Sequence, residues 1–428
     1  MPIHSFLGDR YIGVIGLGYV GLPLALELSK HFAVMGLDID ESRIEALRFG
    51  KDPSGNVADF TTNIVFSINF ADLYQCKLVI VCVPTPTLAN NDPDMGPLKD
   101  ACSRISLFAP EGAIAVFEST VYPGATRECG QLIYDTGGPG IRVGYSPERV
   151  VPGDKNRQVK DVVKIVAGED AEVLDLLTEV YSLIVEAGVH RAPSIEVAEA
   201  SKLLENVQRD VNIALINEYS KYLRSLNVDT QDVLDAAKTK WNFLPFEPGL
   251  VGGHCIRDDP YYLLGSAKNL GVDVPLVTAA REVNESMSGW IAENALRLFV
   301  EHQTQPEVMK VLVLGLAFKE NVGDFRNSKA ADLALKLKSL NCDVTVCDPE
   351  INASGFLRTY GLSVLSIKEA VTKVYHCVVL AVKHDSIMQE FSLESVSSLL
   401  QDPRILVDIK SAYSRKEAKS WGIKLWRL

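Results

Sequence analysis

The sequence predicts an α/β protein in which two doubly wound βα regions flank a helical middle section, and three observations carry that reading. From Tyr11, short β-rich runs alternate with helical periods: YIGVIGLG, a helix through Lys30, FAVMGLDI, a helix near Glu41 to Phe49, then KLVIVCVPTP. AIAVFEST and IRVGYSP continue the series, and their near-continuous apolar character fits strands covered on both faces of a parallel sheet. Between Ser194 and about Ser288 the period changes to three and four, as in SIEVAEASKLLENVQRDVNIALINEYSKYLRSL, which predicts a helical section. After a linker-like stretch, Gln303 to Glu307, the alternation resumes through VMKVLVLGLAF, CDVTVCDP, YHCVVLAV and PRILVDIK. The expected boundaries are 1–193, 194–302 and 303–428.

At 428 residues, with 47% hydrophobic and 23% charged side chains, the chain is enzyme-sized, with ordinary globular usage and too much length for one core. A net charge of -12 offers no basic surplus for nonspecific nucleic-acid binding, so an anionic ligand must be held locally. Eight scattered cysteines include no CxxC pair and no Cys/His spacing of a zinc site, which points to reduced thiols and no metal. Met1 to Arg10 has no apolar signal region and no stretch approaches the length of a membrane span, so a cytoplasmic protein is expected.

The segment GVIGLGYVGLPLALELS sets Gly16, Gly18 and Gly21 as GxGxxG between a strand and a helix. Gly16 permits the tight turn, Gly18 admits a pyrophosphate to the backbone, and Gly21 lets the helix pack on the strand. Asp38 follows at the end of the second strand, where a carboxylate accepts both ribose hydroxyls and repels a 2′-phosphate, favouring NAD. A glycine-rich turn needed only for packing is the plain alternative, but it does not require that acid. Arg43 is either near the adenosine edge or an exposed helix-surface arginine.

PGLVGGHCIRDDPYYL, Pro248 to Leu263, carries the strongest local signal. Paired Gly252 and Gly253 would let the backbone lie close to a bulky ligand and present Cys255 at a turn. The other seven cysteines sit in strand-like or helix-like runs and read as buried apolar groups; Cys255, with Asp259 four residues on, does not. His254 reads as a loop-shaping residue, since neighbours on an extended segment point to opposite sides, and Arg257 and Asp258 read as solvated charges or a weak surface pair. On the helix upstream, Lys202 and Asn206 stand at i, i+4 on one face, where an ammonium and an amide can stabilise an oxyanion, while Arg209 and Asp210 alone read as a solvated edge.

GLGYVGLPLA, VPTP, ESTVYPGATRE, SPERV, KLLENVQRDVNIALINE, GGHC followed by Asp259, and AFKENVGDFRNS occur in this order. From Tyr11 to about Ile409 the chain therefore resembles the UDP-glucose/GDP-mannose dehydrogenase family, and GGHC, PYYL and RDVNIALINE resemble most the branch acting on UDP-N-acetylhexosamines. The resemblance implies two Rossmann-like domains joined by a long central helix, a homodimer, and a four-electron oxidation of the sugar C6 alcohol with two NAD reduced in turn. Cys255 matches the nucleophile that carries a thiohemiacetal and then a thioester. Lys202 and Asn206 match the oxyanion-stabilising positions, Asp259 a carboxylate that orients the hydrolytic water, and Thr120 and Glu148 a pair that positions a water near C6. Lys202 through water, Glu148 and Asp259 are all candidates for the first proton acceptor.

The same resemblance sets Tyr19, Val20, Pro84, Thr85, Ser119 and Thr120 at the cofactor. It sets Glu148, Arg149, Val150, Arg209, Phe246, Gly249 and Gly252 at the substrate, with Lys319 at the sugar or diphosphate and Arg326 bridging the cleft. Arg257, Asp258 and Gly323 depart from the branch pattern, the last as a residue expected to loosen the Arg326 loop. UDP-glucose is the competing substrate. A noncatalytic sugar-nucleotide binder would lack Cys255, Lys202 or Asp259, and a two-electron alcohol dehydrogenase would have no use for the cysteine.

Overall fold

The computed structural model describes residues 2–53, 55, 57–138, 140–149, 158–302 and 308–428; Val150 and the linker at 303–307 lie outside the described residues. The chain divides into two compact units, residues 1–205 with 261–272, and residues 206–260 with 273–428.

In the first unit the strands are β1 Tyr11–Ile15, β2 Val34–Leu37, β3 Val65–Ser67, β4 Cys76–Val81, β5 Ile114–Phe117, β6 Arg142–Tyr145, β7 Lys164–Gly168 and β8 Val189–Arg191, side by side as β3-β2-β1-β4-β5-β6-β7-β8. The chain starts in the middle of the sheet, with Ile12 paired to Val34 on one side and Leu78 on the other. That reversal of strand order opens the crevice in which doubly wound sheets hold ligands. Strand alternation explains the apolar runs: Ile12, Val14, Leu78 and Ile80 pack into one core layer and Ile15, Val79 and Val81 into the other, so every residue of the strand is covered. β7 departs from the expected parallel sheet by pairing antiparallel to β6. Among the described residues only a 3₁₀ turn, Val159–Asp161, lies between them, and an antiparallel neighbour needs no helical crossover.

The second unit repeats the design with β9 Lys310–Leu314, β10 Asp343–Cys347, β11 Val364–Leu365, β12 Tyr375–Leu380, β13 Leu400–Asp408 and β14 Lys424–Arg427, in the order β11-β10-β9-β12-β13-β14 and parallel throughout. Val311 and Val313 face one layer, Leu312 and Leu314 the other. The helical section comprises a helix over Ile195–Ser225, close to the predicted span, and another over Pro275–His302. No helix among the described residues is long and apolar enough to cross a membrane.

Candidate active site

Two glycines of the first unit have the geometry that their spacing suggests. Gly16 has φ +88°, and a Cβ there would lie 2.9 Å from the Cys82 carbonyl oxygen. A Cβ on Gly21 would meet the Gly16 oxygen at 1.9 Å, so only glycine lets the helix Gly21–Leu28 start against the turn. A Cβ added to Gly18 would meet nothing within 4 Å, which leaves room for a phosphate on that side; Tyr19 and Val20 complete the loop before the helix. Asp38 accepts the Leu17 N–H at 2.8 Å and the Asp40 N–H at 3.0 Å, which fixes its carboxylate beside the loop with lone pairs to spare. Arg43 lies against the loop as well, donating to the Leu17 carbonyl at 3.1 Å. These residues fit a dinucleotide: an open glycine, a helix start and a positioned acid.

The ends of β4 and β5 are stitched together near that loop. Ser119 donates to the Val83 carbonyl at 2.7 Å, Thr85 to the Thr120 carbonyl at 2.8 Å, and the Tyr262 hydroxyl to the Thr85 carbonyl at 2.6 Å, with Pro84 between the bonded residues. The Glu148 N–H donates to the Glu118 carbonyl at 3.3 Å, which ties SPERV to ESTVYPG; Arg149 pairs with Glu205 at 2.8 Å. Sequence reasoning missed the group beneath: Glu118 binds Lys164 at 2.6 Å and the Tyr181 hydroxyl at 2.5 Å, all three buried. Burial pushes the Glu118 carboxyl up against the pull of Lys164. Lys202 is buried too, yet among the described residues no carboxylate or hydrogen-bond acceptor meets its ammonium, a group left poised for an anionic partner.

In the second unit Asn206, also buried, donates to the Asp259 carboxylate at 2.5 Å, and the Asp259 N–H donates to the Cys255 carbonyl at 3.0 Å. Asn206, Cys255 and Asp259 are thus one connected group. His254 differs from expectation. Its Nδ1 lies 3.2 Å from the Cys255 Sγ because the chain turns here, with Gly253 at φ +81°, so the alternation of an extended segment does not apply. The glycine pair also admits a neighbouring loop: a Cβ on Gly252 would meet the Asn327 carbonyl oxygen at 2.6 Å, and one on Gly253 the Phe318 ring at 2.8 Å. Both glycines thus face the protein's own 318–327 loop.

Arg257 and Asp258 are not solvated. They pair at 2.8 Å, Asp258 is 2% exposed, and Arg257 reaches Glu285 at 3.4 Å. Glu285 gathers Arg281 and Lys329 as well, and Arg281 holds the fully buried Asp210 at 2.5 Å, with Asn284 donating to the same carboxylate at 2.7 Å. Asp210 is therefore no solvated edge, while Arg209 is exposed. The Cys255 loop is anchored through this charge network to the helix Pro275–His302. Polar Arg281, Asn284 and Glu285 on an otherwise core-like helix were the available sequence signal.

Seven cysteines match the buried reading, and Cys255 is half-buried. Burial raises the Cys76 and Cys347 thiols to about 12 and Cys342 to about 11, and pushes Cys82 and Cys377 well up, which makes them poor nucleophiles.

Gly249 is locked by Asn217, which accepts its N–H at 2.8 Å and donates to its carbonyl at 3.0 Å, so Asn217 holds the loop that carries the half-buried Phe246. Lys319 follows Phe318 and lines a small cavity with Gly252. Arg326, exposed, is forked onto Asp324 of its own loop. Gly323 does not loosen that loop: a Cβ there would sit 2.8 Å from the Glu350 carbonyl oxygen, so glycine is what lets the chain pass.

A doubly wound unit with an open glycine loop and an acid fixed beside it, followed by a second such unit carrying the half-buried Cys255, is the architecture of a nicotinamide-dependent dehydrogenase of nucleotide sugars. The chain matches three domain models of the UDP-glucose/GDP-mannose dehydrogenase family, the NAD binding domain over residues 10–185, the central domain over 196–286 and the UDP binding domain over 312–415, and it belongs to that family. It is 41% identical to protein CapL of Staphylococcus aureus, over 98% of this chain and 100% of that one, and 40% identical to a UDP-N-acetyl-D-glucosamine 6-dehydrogenase of Pseudomonas aeruginosa, over 96% and 99%. A solved UDP-D-ManNAc dehydrogenase of Pyrococcus horikoshii superposes with a TM-score of 0.84 at 26% identity, covering 97% of this chain and 98% of its own.

Proposed function

We propose that the chain oxidises the C6 alcohol of a UDP-N-acetylhexosamine, with UDP-N-acetylglucosamine first among the candidates, to the uronic acid by a covalent route through Cys255. The carrying observation is the Asn206–Asp259–Cys255 group on an anchored turn, Cys255 being the one cysteine among the described residues that is not buried. Bound NAD supplies the hydride acceptor for each of two oxidations. Cys255 adds to C6 of the aldehyde, forming a C–S bond whose oxygen is the charge that Lys202 and the Asn206 amide stabilise. Loss of the second hydride leaves a thioester. Asp259 orients the water that adds to it, the C–S bond breaks, and the thiolate departs with the carboxylate released. Thr120 and Glu148 position water on the cofactor side, and Arg149, Val150, Arg209, Phe246, Gly249, Gly252, Lys319 and Arg326 hold the substrate; Lys202, Glu148 and Asp259 remain the three candidates for the first base.

Support for the acetamido branch comes from the 40% identity to the Pseudomonas enzyme. We further assign residues 1–193, 194–302 and 303–428 to cofactor binding, the central helices and UDP-sugar binding, place the enzyme in the cytoplasm, and assign its product to surface polysaccharide synthesis. A homodimer is supported by exposed Leu215, Tyr219 and Tyr222, spaced along one stripe of the helix Ile195–Ser225, with exposed Leu226 just beyond its end. The test is incubation with NAD and a panel of UDP-sugars, counting NADH per sugar consumed. Two NADH per UDP-N-acetylhexosamine is expected. Preferential use of UDP-glucose overturns the substrate, and one NADH per sugar overturns the route.

A further inference from the structure

The second unit contains a cavity of about 450 Å³ at its β14 edge, lined by none of the residues assigned to the reaction. Its wall carries five cationic side chains against two carboxylates, Asp229 and Glu301, in a chain whose net charge is -12. Asp229 is already spent: Arg427 grips it with two bonds of 2.8 Å, and Arg415 lies 3.5 Å away. The remaining cations differ. Arg224 is half-buried with its guanidinium 4.7 Å from the centre of the Trp426 ring, Lys221 lies 5.6 Å over the Trp290 ring, and Arg297 reaches in from the neighbouring helix.

Among the described residues no carboxylate lies within ion-pair distance of Arg224 or Arg297. Burial, then the charge of Arg297, lowers the Arg224 guanidinium to about 10, against 12.5 for an ordinary arginine, with the charge of Glu301 pulling the other way. Two like charges therefore stand side by side, one of them half-buried, and among the described residues only the more distant charge of Glu301 opposes them. That arrangement costs folding free energy, and a bound anion would offset it. Forked guanidiniums suit oxygens that come in pairs, and the volume exceeds that of a lone chloride.

We propose that this cavity is a binding site for a diphosphate-bearing anion, held by Arg224 and Arg297 with Lys221 at its flank. Free inorganic pyrophosphate and the diphosphate of a nucleotide share this chemistry. The site does not depend on the proposed reaction. The test is calorimetric titration of the full chain with pyrophosphate and, separately, with UDP, comparing wild type with the double variant Arg224→Gln/Arg297→Gln and with Lys319→Ala. The expected result is a pyrophosphate event that survives Lys319→Ala and weakens about tenfold or more in the double variant. A matching second UDP event assigns the site to nucleotides; its absence assigns it to inorganic diphosphate. Thermal melting checks that the double variant is folded, and relief of the Arg224–Arg297 repulsion is expected to leave it at least as stable as wild type. Pyrophosphate binding that is unchanged in the double variant, or lost only in Lys319→Ala, overturns the proposal.

Discussion

The two doubly wound units open in the same way and diverge within six residues. GLGYVG follows β1 and GLAFKE follows β9, so Ala317 stands where Gly18 does and Glu320 where Gly21 does. Gly315 keeps the turn, at φ +83° with a Cβ position 2.5 Å from the Val382 carbonyl oxygen. After β1 the helix begins at once, at Gly21; after β9 it waits until Lys329, and the intervening loop packs on Gly252 and Gly253. The acids diverge too. Asp38 accepts two backbone N–H groups and keeps acceptor capacity, whereas the buried Asp348 takes N–H groups from Leu316, Ala317 and Glu350 and lies 3.1 Å from the His384 Nε2. One acid is available to a ribose, and the other is consumed in holding its own loop. The same fold thus yields a dinucleotide site in one unit and an internal brace in the other.

This contrast can be broken, and the largest effect is expected at Asp348. Asp348→Asn sets an amide donor against backbone donors and a histidine, and is expected to destabilise by about 3 kcal/mol while leaving KM for NAD unchanged; denaturant unfolding and kinetics check both. A raised KM for NAD would show that the two acids are not divided in role. Next is Asp38→Asn, expected to raise KM for NAD about tenfold to a hundredfold, to relax the discrimination against NADP, and to lower the melting temperature less than Asp348→Asn does, since Asp38 is only half-buried. Gly18→Ala follows: nothing lies within 4 Å of the new methyl, so the fold is expected to persist while KM for NAD rises roughly tenfold.

The smallest effect concerns pH. Burial pushes the Asp348 carboxyl up, but His384 and the backbone donors outweigh it and hold it below its ordinary 3.8. A depressed pKa contributes stability that is present above the unfolded value and lost as pH falls through the folded one. The gap in melting temperature between wild type and Asp348→Asn is therefore expected to be constant from pH 7 to about pH 5 and to narrow below about pH 4. A gap independent of pH contradicts this role for the carboxylate.

The parallel units, the long helix and the glycine loop were legible because each leaves a periodic or spaced signal: strand alternation covered on both faces, apolar recurrence at three and four, an acid at a set distance from GxGxxG. Cys255 was legible by contrast with seven cysteines in strand and helix runs. The Asp258–Arg257–Glu285–Arg281–Asp210 network was not, because its members are charged residues from separate segments that look solvated until the chain folds. His254 is hard to place for a related reason: strand alternation does not hold where a positive φ at Gly253 turns the chain. The antiparallel β7 follows a stretch with no helical period, where topology has no sequence signature.

The most direct test of the covalent route is intact-protein mass spectrometry of enzyme quenched during turnover of UDP-N-acetylglucosamine with NAD, for wild type and Cys255→Ala. The expected result is an adduct of the sugar nucleotide confined to wild type and mapped to Cys255, with NADH formation by the variant lower by about a thousandfold or more. A Cys255→Ala enzyme that forms two NADH per sugar at the wild-type rate would contradict the assignment of Cys255 as nucleophile.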